Sequence, residues 1–330
     1  MPRSNLIAGA CAVAGLTAAL VLAAPAPSAL KPPPSLGSKC GVFPRPGSDV
    51  AADAPSLADQ RAWNQDVSGA PVAANSDAII DYVGSDELHP DFGSPRAYGI
   101  PYSVVGKRAK RTKVKFTAYG DESDKGKYRV PLKAPVEGGP NADGDRHVLA
   151  YDKARCKLYE LYRAFPQKKA KRWEADSGVI WDLRSAGLRT EGYTSADAAG
   201  LPIFPGLVRY DEVAAGNIDH AIRVTFGSTR DAWINPGSHC AGDTQNAAAP
   251  PMGLRLRMKA GYDISGISGD AKVIAEAFKR YGMIVADNGS DWYFQGSSDP
   301  RWDDDDLNQL KEIPGSAFEV VRSEAEVHAC

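Results

Sequence analysis

Short apolar and β-branched runs alternate with Gly- and Pro-rich turns along most of this chain, and a helical period is rare. The pattern predicts strands over 102–105, 113–118, 148–151, 157–162, 179–183, 220–226 and 254–258. Strands at this spacing without intervening helical periods predict a mainly β fold, an antiparallel β-sandwich of the jelly-roll kind with a few peripheral α-helices. A short capped helix is predicted over 76–83. The clearest helix is predicted over 269–281, where Val273, Ile274, Ala277, Phe278 and Tyr281 form one stripe and Gly282 follows as a C-cap. Beyond it, strands at 283–286 and 292–295 flank Asp287-Asn288-Gly289-Ser290, whose Asn-Gly step signals a hairpin. Asp303 to Asp306 precede Leu307 and Leu310, as acidic residues do when they complement the dipole of a helix's first turn. A calcium loop would need a glycine and alternating ligands that this run lacks.

The N-terminus changes the picture from fold to compartment. Arg3 is followed by a small and apolar run over 6–24, and Ala24-Pro25-Ala26 has the small-x-small form of a signal-peptidase site. Residues 1–26 are therefore predicted to be a signal peptide that includes Cys11, with the secreted chain starting near Pro27. The Pro-, Ala- and Ser-rich stretch 27–60 reads as an extended lead-in, and 61–330 as a single β-sandwich domain with C-terminal helical elements. No later apolar run is long enough to span a membrane, and the protein is expected to be a monomer. Cys40, Cys156, Cys240 and Cys330 remain after cleavage, an even set that allows two disulfides in an oxidising compartment.

A formal net charge of −2 over 330 residues gives no reason to expect nucleic acid as a partner. Basic runs occur at 107–115 and 168–172. The second half of the first alternates Lys with β-formers, as in a wet sheet face or a protected edge. Solvated surface is the plain reading of both, and charge attraction for an anionic polysaccharide or cell-wall polymer is the other.

The polar candidates centre on Gly138–Tyr162, where two short strands joined by Asp152-Lys153-Ala154-Arg155 predict a hairpin. A symmetric closure of that turn sets His147 across from Glu160, Leu149 from Leu158 and Tyr151 from Cys156. An imidazole facing a carboxylate at cross-strand distance is a candidate acid/base pair. Asp145, Asp182 and His220 complete the catalytic candidates, and Arg209, Trp181, Tyr210 and His239 are candidate binding residues. A glycosidase needs two carboxyl groups about 5–5.5 Å apart for retention or 6.5–9.5 Å for inversion, with flat aromatic faces for the sugar. His147, Glu160, His220 and His239 have the chemistry of a zinc ligand set, but no spacing requires one, so neither metal nor cofactor is expected. Serine-elbow, zinc-protease, Walker and dinucleotide motifs are absent.

The segments YGIPY, GDRHVLAYD with LYELY, SGVIWDLRS, TSADAAGLPIFPGLVRYDEVAAGNIDHAIRVTF and KRYGMIVADNGSDWYFQGSSDPRWDDDDLNQL resemble a family of exported proteins of actinobacteria and soil bacteria that has no assigned activity. The resemblance implies export and one continuous domain, and no reaction. Compartment and fold class lead to the expectation of an exported carbohydrate-active protein, a polysaccharide hydrolase with a carboxylate/His site on the concave sheet face. The alternatives are a non-catalytic cell-wall or glycan-binding protein and a structural secreted protein.

Overall fold

The computed structural model describes residues 62–94, 98–184 and 189–330; the predicted signal peptide, the predicted lead-in and Cys40 lie outside them. In chain order the strands are β1 (His89–Asp91), β2 (Tyr102–Val105), β3 (Thr112–Phe116), β4 (Lys127–Tyr128), β5 (Val148–Asp152), β6 (Lys157–Tyr162), β7 (Phe165–Gln167), β8 (Arg172–Ala175) and β9 (Ser177–Asp182). They continue with β10 (Ile222–Phe226), β11 (Arg230–Ile234), β12 (Pro251–Met252), β13 (Arg255–Met258), β14 (Met283–Asn288), β15 (Tyr293–Gln295), β16 (Phe318–Val320) and β17 (Val327–Ala329). The helices are α1 (Ser76–Val83), α2 (Ile203–Gly206), α3 (Tyr210–Ala214), α4 (Gly269–Arg280) and α5 (Asp304–Asn308). The fold is mainly β, and the helices at α1, α4 and α5 form where the sequence predicts them. Asp303 caps α5 by accepting from the amides of Asp305 and Asp306.

The strands assemble into sheets of order β1-β15-β10-β14-β13-β16, β12-β11-β17, β2-β5-β6-β9 and β4-β3-β8-β7. The expectation of an all-antiparallel arrangement is corrected here, because β2 runs parallel to β5, β3 to β8, β10 to β14 and β1 to β15. Parallel neighbours need a long crossover, and those from β2 to β5 and from β3 to β8 carry no helix, so strand counting alone did not reveal them. The Asn288-Gly289 hairpin is also corrected. β14 and β15 do not pair with each other; β10 lies between them, parallel to one and antiparallel to the other.

Alternation on β6 builds two cores at once. Tyr159 and Leu161 join Val148, Ala150, Tyr128 and Trp173 on the side of the β4-β3-β8-β7 sheet. Leu158 joins Leu149, Tyr151 and Trp181 on the other side, where Ile203, Phe204 and Leu207 cover them. The largest core surrounds the six-stranded sheet, with Phe278 of α4 edge-on to Phe294 at 5.1 Å and to Phe318 at 5.7 Å.

Cys240 is bonded to Cys330 across 90 residues, and Cys156 is likewise disulfide-bonded. The first of these bonds fastens β17 against β11, where His328 also stacks on Trp233 at 3.9 Å. Among the described residues no helix is long and apolar enough to cross a membrane.

Gly282 ends α4 at φ +70°, and its amide bonds to the Ala277 carbonyl. A Cβ there would collide with the Leu256 carbonyl oxygen of the neighbouring strand. Gly282→Ala is therefore expected to lose about 1–3 kcal/mol of stability. A denaturant titration that leaves the midpoint unchanged would show that the turn relaxes.

Candidate functional site

Strand β10 carries the key alternation. Val224 pairs with Phe294, whose ring meets α4, so this face of the strand belongs to the large core. Arg223 and Thr225 point the other way, where Gly206 of α2 lies over the Arg223 side chain; a Cβ on Gly206 would sit 2.5 Å from Arg223 Cγ. Beside β10, the register of β14 shifts so that Val224 matches Val285 but Thr225 matches Asp287. Ala286 is the extra residue. A bulge of this kind turns the following side chain to the opposite face, which brings Asp287 onto the side that holds Arg223. The bulged Ala286 carbonyl accepts the Ala199 amide at 3.1 Å and so fixes the incoming loop over 194–201.

That loop delivers Asp197 to Arg223. Both side chains are fully buried, and the carboxylate accepts from guanidinium Nη1 and, at 2.7 Å, from the Leu201 amide. Arg223 Nε donates to Gln295 Oε1 at 2.8 Å, while Nη2 is buried without a protein partner. Burial pushes the Asp197 carboxyl up against the opposing pull of Arg223 and the Leu201 amide.

Asp197 and Asp287 line a cleft of about 300 Å³ together with Asp145, Tyr119, Tyr162, His239 and Asn288. Burial and the neighbouring Asp197 raise the Asp287 carboxyl to about 7, against the pull of Arg223 and His147. Behind the cleft wall, His147 Nδ1 lies 2.7 Å from Glu137 Oε2 and Nε2 lies 3.0 Å from the Ala196 carbonyl oxygen. Both ring nitrogens face acceptors, which suits an imidazolium that donates twice. Burial opposes this charge, but the Glu137 carboxylate, with Asp145 and Asp287 beyond it, lifts His147 to about 9. At the cleft's edge His239 donates from Nδ1 to the Ala198 carbonyl at 2.8 Å and holds Nε2 3.9 Å from Glu122.

Of the residues singled out in the sequence, Asp145 and His239 reach this cleft, and His147 stands directly behind it. The pairing of His147 with Glu160 is corrected. Leu149 lies opposite Glu160 and Tyr151 opposite Leu158, a register two residues from the expected one. Asp152 opens the turn, with its side chain accepting from the Ala154 amide and Arg155, and Cys156 takes a left-handed φ of 53° inside the loop. His147 consequently packs near the Tyr162 ring, at 5.6 Å. Glu160 is buried where it accepts from Trp181 Nε1 and from the amides of Ile203 and Phe204 at the start of α2. Burial lifts it to about 7, and those three donors resist the shift.

The remaining candidates lie elsewhere. Asp182 pairs with Lys157 and Arg184, which hold its carboxyl well below the usual range. His220 Nε2 meets Glu212 at 3.2 Å, and Arg209 joins Glu212 while donating to the carbonyls of Phe204, Pro205 and Leu207. Trp181 is buried, and Tyr210 packs edge-on to Trp302 beneath Arg301. His147, Glu160, His220 and His239 each have separate partners, so they do not converge as a ligand set. The metal-ligand-like group among the described residues, Asp231 with Cys240 and Cys330, has its two sulfurs joined to each other.

Sequence reasoning passed over Arg223, Asp197, Asp287 and Glu137. One signal was present: an arginine in the middle of the apolar run of β10 needs a buried carboxylate somewhere in the chain. Compared with protein-family models, curated proteins and solved structures, the chain matches none.

Because His147 is raised from 6.5 to about 9 in the folded state, its charged ring contributes stability that is complete below about pH 6.5. That contribution is lost as pH climbs through about 9. Glu137→Gln should lower the imidazole pKa, move this loss to lower pH and cost about 1.5–3 kcal/mol near neutrality. NMR titration of the ring with melting curves over the same pH range checks both effects; an unmoved imidazole pKa would rule the pairing out.

Proposed function

We propose that the protein is an exported carbohydrate-active hydrolase that cleaves a polysaccharide in this cleft. Asp287 is the general acid and Asp145 the second carboxylate. The observation that carries the reading is a carboxyl raised to about 7 at the wall of a 300 Å³ cleft that a second, exposed aspartate also lines. Acid/base cleavage of a glycosidic bond requires one carboxyl to keep its proton while another is ionised, and unequal environments supply that difference. Asp287 protonates the departing glycosidic oxygen as the C1–O bond breaks. Asp145 attacks C1 or takes a proton from the attacking water. His147 keeps positive charge behind both groups, and Tyr119 and Tyr162 offer flat faces for sugar rings. In this reading the stacked β-sheets form a β-sandwich, residues 1–26 are removed on export, and the mature protein belongs to the exported group that its motifs resemble.

The tyrosines also favour a second reading, a glycan-binding protein without turnover. Screening polysaccharides for new reducing ends, beside a pull-down on the same polymers, separates the two. Hydrolysis should fall as pH rises through about 7, the value to which Asp287 is raised. Asp287→Asn should lower turnover by about 10²–10⁴-fold. Binding with no product from any polymer would favour the binding protein, and full activity in the Asn variant would remove Asp287 from the mechanism.

Export has its own check. N-terminal sequencing of protein recovered from culture medium should begin near Pro27, and protein retained in cells with Met1 intact would contradict it.

A further inference from the structure

At the opposite end of β6 and β9 from the cleft, a depression of about 600 Å³ is lined by Arg111, Lys127, Arg129, Arg155, Lys157 and Arg184, with Tyr159 among them. These cations come from the start of β3, from β4 and the chain just after it, from the β5–β6 turn, from β6 and from the end of β9. The carboxylates that pair with them are Asp152, with Arg129 and Arg155, and Asp182, with Lys157 and Arg184. Six positive groups less two negative ones leave a local excess of four.

Much of the ring is held in place. Arg129 donates to the Ala109 carbonyl, Arg155 donates to the Lys107 carbonyl at 3.1 Å, and Lys157 donates to Asp182 at 2.9 Å. Arg111 and Lys127 are exposed, and their side chains make no ion pair or hydrogen bond among the described residues. Arg129, Arg155 and Arg111 line the depression together with Tyr159, and their charges oppose the burial that raises its phenol. Next to it, Lys113 and Lys127 stand directly opposite each other on β3 and β4. Like charges in that position repel, and a bound anion would relieve them.

We infer that this depression binds an anionic glycan, a polymer whose repeating units carry phosphate or carboxylate groups. Fixed guanidinium forks match the paired oxygens of either group, and the volume exceeds what a lone oxyanion fills. The site works by charge and preorganisation, and it does not require the cleft to be catalytic. Two separate places for carbohydrate on one molecule would let the protein stay on a charged matrix while the cleft meets another part of it.

The test is fluorescence anisotropy with labelled poly(glycerol phosphate) and labelled polygalacturonate, which separate phosphate from carboxylate as the recognised group. Neutral dextran and a single-stranded DNA oligonucleotide serve as comparisons. At low salt one or both anionic glycans should bind and dextran should not. Added salt should weaken the complex. Arg111→Glu with Lys127→Glu should weaken binding about tenfold or more, whereas Lys168→Glu with Lys169→Glu, in the exposed turn after β7, should leave it unchanged. Lys127→Glu alone gives a second reading should the double variant fail to fold. No binding of either glycan, tighter binding of DNA than of both, or equal loss in the Lys168/Lys169 variant would each overturn the inference.

Discussion

The ion pair between Arg223 and Asp197, from which solvent is fully excluded, is the constraint around which the molecule is arranged. A guanidinium in the middle of an apolar strand is tolerable only if a carboxylate reaches it, and removing one partner of such a pair typically costs about 3–5 kcal/mol. Meeting that demand pulls the loop over 194–201 between the sheets. The loop then presents the Ala196 carbonyl to His147, the Ala199 amide to Ala286 and, further along, the Ile203 and Phe204 amides to Glu160. Arg209 secures the far end of the same segment through the carbonyls of Phe204, Pro205 and Leu207. Arg223, His147, Glu160 and Arg209 thus fasten an irregular segment at four points, where apolar packing alone could have let it slide.

The elements were far more legible than their connections. The helix that became α4 was readable because its apolar stripe and Gly282 argue for the same boundaries. β6 was readable because Lys157–Tyr162 alternates between two cores, each of which wants apolar side chains. Pairing was less so. The Asn-Gly step after β14 has hairpin chemistry, yet β10 occupies the place where the partner strand would lie. Nothing local to residues 283–295 encodes the presence of β10.

The candidate site was hidden for a related reason. Asp145, His147 and His239 drew notice as residue types, but His147 owes its charge to Glu137, which lies outside the hairpin and reaches it through the loop before β5. Glu160 looked chemical because a symmetric turn would set it across from His147; its use is to receive the first amides of α2. A polar residue in a core position announces that a partner exists and is silent about whether that partner is a ligand or the protein's own backbone.

The bulge at Ala286 makes strand register a chemical variable. Were β14 to pair regularly here, with Ala286 opposite Thr225, every side chain after Ala286 would change sides, and the carboxyl of Asp287 would face the aromatic core under α4 while Ala286 took its place. Loss of the bulge without loss of a residue would therefore take this carboxyl out of the cleft while leaving the aspartate in the sequence. An aspartate at this position in a chain says less about chemistry than whether the strand bulges before it.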